Sequence, residues 1–250
     1  MIRVEGLHTT LGGQTVLAGT ELVIETGEVL ALVGPSGTGK SVLLKHIVGL
    51  MLPDAGDVLI DGRSVVHAGY RDLRELRRRM GYVFQDAALL DSLDIRANLR
   101  LALDDDLCAR NPIHESTRIA HALRLVNLDE RVLARLPGEL SGGMRKRIGV
   151  ARAILNAPDI MLYDEPTTGL DPQNVASIHD VLLRARDALG ATTVVITHDI
   201  PALSGLADRV ALMHGGAIRF LGTPRSFLEC DDPVVNAFIG RSSTVHERRS

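Results

Sequence analysis

The sequence predicts an α/β protein built around a parallel β-sheet, with a helical segment inserted between two parts of that sheet. Three observations support this fold class. A buried strand, a glycine-rich loop and a helix follow one another within residues 29–51. A stretch of mostly helical pattern occupies residues 86–155, and strands and helices alternate again from residue 160 onward.

The composition is that of a globular protein with a small net charge. The 250 residues are 45% hydrophobic and 24% charged, enough for one large α/β domain with an inserted lobe. The net charge of -3 argues against nucleic acid as a partner. Two distant cysteines, Cys108 and Cys230, give little support to a disulfide framework or a zinc site. The N-terminus lacks a signal peptide and no segment approaches the roughly 20 apolar residues of a membrane span, so we expect a cytoplasmic chain.

The first predicted elements surround the glycine-rich loop. An apolar strand, Val29 to Val33, is bounded by Gly34, and a helix follows from Ser41, with Pro53 beyond its end. The next predicted elements are two short strands and the basic helical stretch between them: Val58 to Ile60, Arg71 to Arg79, and Tyr82 to Phe84.

The later elements are predicted from apolar runs and from the residues that begin helices, end helices or form turns. The acidic stretch Asp104 to Pro112 is expected to be a surface loop, and the last ten residues a frayed tail. Asp171, Pro172 and Gly190 predict the N-cap, first position and C-terminal end of one long helix. The remaining predicted strands, of which the last two form a hairpin at Gly215-Gly216, are Ile160 to Tyr163, Thr193 to Thr197, Val210 to Met213 and Ile218 to Leu221.

Residues 34–41 read GPSGTGKS, which fits the phosphate-loop pattern G-x-x-x-x-G-K-[S/T] in full. Backbone N–H groups of such a loop wrap phosphates, and the helix that starts there adds the positive end of its dipole. Lys40 supplies charge, and Ser41 offers a hydroxyl to Mg²⁺. The candidate ATP phosphate-binding residues are Gly34, Pro35, Ser36, Gly37, Thr38, Gly39, Lys40 and Ser41.

A second motif, IMLYDE at residues 160–165, places two adjacent carboxylates at the end of a buried strand. Ligands bind at the carboxyl edge of open parallel sheets. We therefore expect Asp164 to hold Mg²⁺ and Glu165 to polarise the water that attacks the γ-phosphorus. An apolar run that ends in two acids is common, so the motif gains its weight from the phosphate loop before it.

A third motif, LSGGM at residues 140–144, lies downstream of the loop and shortly before IMLYDE. Ser141 is the predicted N-cap of a helix whose buried stripe is Met144, Ile148, Ala151 and Leu155, and the two glycines permit close backbone approach. With these motifs in this order, the sequence resembles the ATP-binding cassette (ABC) ATPases over residues 2–240 or thereabouts.

The resemblance implies a RecA-like P-loop NTPase core with a parallel sheet, an N-terminal antiparallel β subdomain and an inserted α-helical subdomain. We expect the core and β subdomain over residues 1–85 and 156–220, the helical subdomain over 86–155, and a C-terminal extension and tail over 221–250. In this family the signature faces the ATP of a second copy, which implies a homodimer. The signature residues here are Leu140, Ser141, Gly142, Gly143 and Met144.

Three single residues fall where the family has further functional positions. Gln85, after the strand YVF, resembles the glutamine that touches Mg²⁺ and the attacking water. Asp171, in TTGLDP, resembles the aspartate of the D-loop, which communicates across the dimer, and it also suits a helix cap. His198, in VVITHD, resembles the switch histidine that hydrogen-bonds the γ-phosphate. Leu11 occupies the place where the family has an aromatic residue that stacks on adenine.

Within the family, three stretches resemble the ATPase subunits of Mla-type phospholipid transporters: LSGGM, FQDAALLDSLDIRANL after Tyr82-Val83, and GTPRSFLECDDPVVNAFIG. That resemblance implies an integral membrane permease, an MCE-domain lipid-binding protein and a small STAS-type regulatory subunit as partners. It also implies a peripheral location on the cytoplasmic side of the inner membrane.

Other functions remain open at this point. The chain also suits the ATPase of another ABC importer for an osmolyte or small solute, or a soluble ABC ATPase of iron–sulfur cluster assembly. A DNA-repair or chromosome-structuring ABC protein is disfavoured, because residues 85–141 hold no coiled-coil or zinc insertion and no basic footprint is visible.

Overall fold

A computed structural model describes residues 1–103 and 112–247 of the chain. The chain divides into two units, the first formed by Met1–Arg77 and Thr192–Ser250 and the second by Arg78–Ala191. The predicted loop at Asp104 to Pro112 lies outside the described residues, except that Pro112 begins a helix. The subdomain boundaries expected at residues 85, 155 and 220 stay a prediction.

The first unit begins with an antiparallel sheet formed by β1 (Ile2–Leu11), β2 (Gln14–Ile24), β4 (Ala55–Ile60) and β5 (Arg63–Ser64). The strand order is β2-β1-β4-β5. Buried and exposed side chains alternate along β1, because successive side chains of a strand point to opposite faces. The expected N-terminal antiparallel β subdomain is therefore present.

The first unit also contains parallel strands, as the apolar runs predict. β3 (Val29–Val33) pairs in parallel with both β8 (Thr192–Ile196) and β9 (Arg209–His214). Every side chain of β3 and β8 is buried, which is typical of parallel strands covered on both faces. β10 (Ala217–Gly222) pairs antiparallel with β9, and this confirms the predicted hairpin at Gly215-Gly216.

Among the residues that the structure describes, five helices belong largely to the first unit. They are α1 (Lys40–Ile47), α2 (Tyr70–Arg78), α7 (Leu203–Leu206), α8 (Pro224–Leu228) and α9 (Pro233–Glu247). α1 follows β3 directly after the glycine-rich loop, so the predicted order of strand, loop and helix is confirmed.

The C-terminal helix α9 corrects one expectation. The residues from Arg241 were expected to fray, but the backbone remains helical as far as Glu247. The helix is well started, because the Asp232 carboxylate accepts a hydrogen bond from the Val234 N–H at 2.8 Å and pairs with Arg219 at 2.7 Å. After the first turn of a helix has formed, each further residue adds one backbone hydrogen bond at little cost in free energy. The helix can therefore continue into the polar residues that end the chain.

The second unit contains a pair of parallel strands, β6 (Met80–Val83) and β7 (Ile160–Asp164), with helices around them. The helices are α3 (Ile95–Arg100), α4 (Pro112–Leu125), α5 (Gly142–Ile154) and α6 (Pro172–Leu189), with 3₁₀ turns at Glu130–Ala134 and Pro137–Glu139. We call α5 the signature helix. It packs against β6, α3, α4 and α6, which places it at the centre of this unit.

Two further observations concern the whole described chain. Within residues 1–103 and 112–247, the helices are too short or too polar for any of them to cross a lipid bilayer. Cys230 carries a free thiol, whereas Cys108 lies outside the described residues.

Candidate functional site

The phosphate loop occupies the turn between β3 and α1 in the first unit. Gly34 has a φ of 148°, and a Cβ atom placed on it would overlap the carbonyl oxygen of Met213. Only glycine suits both the backbone angle and this approach. All eight predicted phosphate-binding residues, 34–41, lie in this loop and the first two positions of α1.

Lys40 holds the two sides of the loop together. Its Nζ donates hydrogen bonds to the carbonyl oxygens of Gly34 at 2.8 Å and Pro35 at 2.9 Å, and the residue is only 4% exposed. The Thr38 hydroxyl donates to the same Pro35 carbonyl at 2.9 Å. A buried ammonium at a helix N-terminus is suited to an anion, because both the charge and the helix dipole attract phosphate.

His198 lies at the same edge of the first unit's parallel strands as the phosphate loop. Leu32 of β3 is paired with Ile196 of β8, and the Thr197 N–H reaches the Leu32 carbonyl at 3.4 Å. His198 follows directly and is exposed. His198 is the one predicted catalytic residue that belongs to the first unit, and it follows the end of β8, the strand beside β3.

In the second unit, β6 and β7 bring Gln85, Asp164 and Glu165 to one edge. Val83 is paired with Tyr163, so the residues that follow both strands leave the sheet side by side. The Tyr82 hydroxyl donates to Asp164 Oδ2 at 3.0 Å, and Asp164 is 6% exposed. Burial first, and then the charge of Asp164, raises the pKa of Tyr82, so the phenol stays protonated and fixes the carboxylate.

The residues present fit a magnesium ion that takes few protein ligands. Within the part of the chain that the structure describes, no group of three or more His, Cys, Asp or Glu side chains forms a metal cage. Mg²⁺ differs from caged metals, since it is usually bound by one or two protein oxygens together with substrate phosphates and water. The oriented Asp164 carboxylate is an oxygen ligand of this kind.

Glu165 has an unusual backbone conformation that the sequence did not predict. Its φ is 50°, in the left-handed region that residues other than glycine rarely adopt. Its Oε2 accepts a hydrogen bond from the Thr168 hydroxyl at 2.9 Å, and its carbonyl accepts one from the Thr168 N–H at 3.2 Å. Strain of this kind is maintained only where surrounding contacts hold it, and it is found at functional sites.

The signature residues begin the signature helix as predicted. Ser141 is the N-cap, with its Oγ accepting from the Met144 N–H at 3.3 Å. Gly143 is buried, and a Cβ atom on it would overlap the Asn174 side chain of α6, so the predicted close approach exists here within one chain. Leu140 is buried, whereas Gly142 and Met144 are partly exposed and Ser141 is exposed.

Asp171 is the N-cap of α6, which confirms the predicted cap. Its carboxylate accepts a hydrogen bond from the Asn174 N–H at 3.0 Å, and this bond is the main reason that its pKa is lowered. Pro172 and the left-handed Gly190 bound the helix as predicted. Leu11, in the place of the family's aromatic residue, ends β1 and is 41% exposed.

Sequence reasoning missed the side chains of the signature helix that hold the neighbouring loops. Lys146 donates to the carbonyl of Thr168 at 2.8 Å, and Arg152 donates to the carbonyls of Ala87 and Ala88 at 2.7 and 2.6 Å. Helix periodicity could not have found them, because Lys146 and Arg152 are six residues apart and point about 120° away from each other around the helix axis.

Comparisons with known proteins agree on the family. The family model described as ABC transporter matches residues 17–168. The Fe(3+) ions import ATP-binding protein FbpC 1 of Rhodococcus jostii is 39% identical over 240 residues, covering 96% of this chain and 67% of that protein. The probable ribonucleotide transport ATP-binding protein mkl of Mycobacterium leprae is 35% identical over 240 residues, covering 95% and 68% respectively.

A solved structure agrees with the fold. The dimeric, post-hydrolysis state of the ATP-binding cassette MJ0796, bound to ADP and Pi, matches 90% of this chain and 99% of that one, with a TM-score of 0.78 and 29% identity. The family model covers more than half of the chain. The chain therefore belongs to the ABC transporter family, has the fold of its ATPases, and is an ATP hydrolase that uses ATP with Mg²⁺.

Proposed function

We propose that this chain is the ATP-hydrolysing subunit of a bacterial ABC importer and works as a homodimer beneath a membrane permease. The phosphate loop carries the proposal, because Lys40 is buried across a glycine turn at a helix N-terminus. The name of the Rhodococcus relative, an import ATP-binding protein, supports import.

Each candidate residue has a proposed role. Residues 34–41 hold the phosphates of ATP, while Ser41, Gln85 and Asp164 would hold Mg²⁺, which neutralises phosphate charge when bound. Glu165 accepts a proton from the attacking water, and His198 donates a hydrogen bond to the γ-phosphate. The Thr168 hydroxyl at 2.9 Å orients the Glu165 carboxylate.

The dimer completes each site in this proposal. The signature residues, Leu140 to Met144, contact the ATP of the partner copy, and Asp171 reports across the interface. Two features support this: Ser141 is exposed at the start of a 13-residue helix, and the related MJ0796 cassette is described as dimeric. ATP closes the dimer, closure moves the permease, and hydrolysis reopens it.

The cargo is not expected to touch this chain. The relatives are named for iron ions and for ribonucleotides, yet each aligns with nearly the whole of it. Specificity in such a system belongs to the permease and its binding protein. We propose a peripheral location on the cytoplasmic side of the inner membrane, where the ATPase meets the permease.

Phospholipid transport is the second candidate, because the relatives are named for iron ions and ribonucleotides rather than for lipids. It is supported by LSGGM, by the segment after Gln85, and by the segment from Gly222, which resemble Mla-type ATPases. In that case an MCE-domain protein and a STAS-type subunit join the permease.

Purification from native membranes in mild detergent separates these functions. A permease that co-purifies with a solute-binding protein supports the importer, and one that co-purifies with an MCE-domain protein and bound phospholipid supports the second candidate. Recovery with soluble scaffold proteins and without a permease would contradict both, and would favour an iron–sulfur assembly ATPase.

A further inference from the structure

Lys146 is a buried cation on the signature helix that none of the proposed roles uses. It is 9% exposed, although lysine is among the residues least often buried. Its Nζ donates a hydrogen bond to the carbonyl oxygen of Thr168 at 2.8 Å. Burying an ammonium is costly unless its partners are well placed, so the position of this side chain needs an explanation.

The carbonyl that Lys146 holds belongs to the loop that orients Glu165. The hydroxyl of the same residue, Thr168, donates to Glu165 Oε2 at 2.9 Å, and its N–H donates to the Glu165 carbonyl at 3.2 Å. Lys146, Thr168 and Glu165 therefore form a continuous hydrogen-bonded chain. Glu165 is also the residue with the left-handed φ of 50°, a conformation that needs external support.

Charge complements this chain of hydrogen bonds. Burial lowers the pKa of Lys146, whereas the carboxylates of Asp86 and Glu165 act in the opposite direction and favour the ammonium. Asp86 directly follows Gln85. One ammonium thus lies near both segments that follow the parallel strands β6 and β7, and it is attached to the helix that the signature begins.

We propose that Lys146 is a positioning residue for ATP hydrolysis, which fixes the loop Glu165 to Thr168 onto the signature helix so that the Glu165 carboxylate keeps its orientation. The proposal rests on the role of Glu165 given above. It differs from a purely structural role in one respect: loss of Lys146 lowers turnover through Thr168 and Glu165 and leaves ATP binding intact.

The test is a double-mutant cycle on Lys146→Met and Thr168→Val, measured as steady-state Mg²⁺-ATPase activity of the full chain. Lys146→Met removes the ammonium and keeps the length of the side chain. Thr168→Val removes the hydroxyl that reaches Glu165 and keeps the carbonyl. We expect each variant to lower kcat by about 10-fold with KM for ATP within about twofold, because misplacing a catalytic group costs turnover rather than ground-state binding.

The double variant decides between the two roles. If both side chains act on Glu165 through one chain, kcat of the double variant stays within about threefold of the lower single variant, instead of falling by the product of the two effects. Multiplicative losses, or a loss confined to KM, overturn the proposal. Should Lys146→Met fail to fold, an unchanged kcat in Thr168→Val overturns it equally.

Two further variants complete the experiment. Arg147→Met removes a neighbouring cation of the same helix that donates to the Asn127 carbonyl at 3.0 Å, and it is expected to keep kcat within about twofold. Glu165→Gln separates the two hypotheses. If it abolishes turnover while Lys146→Met and Thr168→Val leave kcat unchanged, only the positioning role fails; if it leaves turnover unchanged, the proposed role of Glu165 fails.

Discussion

The phosphate loop and the loop from Glu165 to Thr168 keep their shapes by different means. In the phosphate loop, glycines adopt the positive φ angles and Lys40 bonds to carbonyls five and six residues away. In the second loop, Glu165 itself adopts a positive φ, and the support comes from Lys146, 22 residues away in sequence. The side-chain hydrogen bonds that hold the first loop come from within the loop and the start of its helix, whereas those that hold the second come from a distant helix.

The segment after Gln85 resembles the second loop in this respect. Ala87 and Ala88 have φ angles of 60° and 47°, and Arg152 of the signature helix donates to both of their carbonyls. Removal of the Lys40 side chain should therefore act locally on ATP binding, and substitutions in the signature helix should act at a distance on the two loops it supports.

The largest effect is expected from Lys40→Ala. Loss of the buried ammonium removes charge-assisted bonds to phosphate, and we expect ATP affinity to fall by at least about 100-fold. The measurement is equilibrium binding of a fluorescent ATP analogue, with circular dichroism to show that the variant folds. Tight binding by a folded variant would mean that the loop holds phosphate without this side chain.

The next effect concerns the glycine that the loop requires. Gly34→Ala places a methyl group against the Met213 carbonyl, and we expect the free energy of unfolding to fall by about 2 kcal/mol. Gly37→Ala is the matched control, because its φ is 79° but nothing lies within 4 Å of its Cβ position. It should cost about 1 kcal/mol from backbone strain alone. Equal losses in urea denaturation would contradict the steric account.

Arg152→Met tests support at a distance. It removes the hydrogen bonds to the carbonyls of Ala87 and Ala88, and we expect a loss of about 1.5 kcal/mol in the free energy of unfolding. Arg152→Lys keeps the charge and one donor group and should lose about half as much. Hydrogen exchange should show faster exchange in residues 86–90. If exchange there is unaltered in a folded Arg152→Met protein, Arg152 does not support this segment.

The smallest effect is expected from the helix cap beside the second loop. The pKa of Asp171 is lowered in the folded protein by its bond to the Asn174 N–H, so its ionised form stabilises the fold. This contribution is present above the unfolded pKa of 3.8 and is lost as the pH falls further. Asp171→Asn should therefore lower Tm slightly at pH 7, and the difference should vanish in acid. A difference independent of pH would argue against an ionic cap.

The features that depend on residues close together in sequence were predictable, and the phosphate loop is one of them. GPSGTGKS and IMLYDE are each an unbroken stretch of sequence, so the phosphate loop and the carboxylates at the strand end were predicted. The strands and helices around them alternate with clear periodicity, so the fold class was predicted as well. Caps at Ser141 and Asp171 were also predicted, because capping depends on residues within one turn.

The supporting contacts were not predictable in this way. A left-handed φ at Glu165, Ala87 or Ala88 contradicts local preference, and it is maintained by side chains that lie far away in sequence. Lys146 and Arg152 looked like ordinary helix residues, since the sequence does not show which loops lie beside their side chains. The continuation of α9 to Glu247 was missed because the polar composition of residues 241–247 concealed a helix that began at Pro233.

The most direct test of the account is the turnover of Glu165→Gln. This change removes the carboxylate that accepts the proton and keeps the size of the side chain, so ATP should bind with unchanged affinity while kcat falls by about 100-fold or more. With ATP and Mg²⁺ the variant should accumulate as a stable dimer in size-exclusion chromatography. A variant that hydrolyses ATP at the wild-type rate would contradict the assignment of Glu165 as the catalytic base.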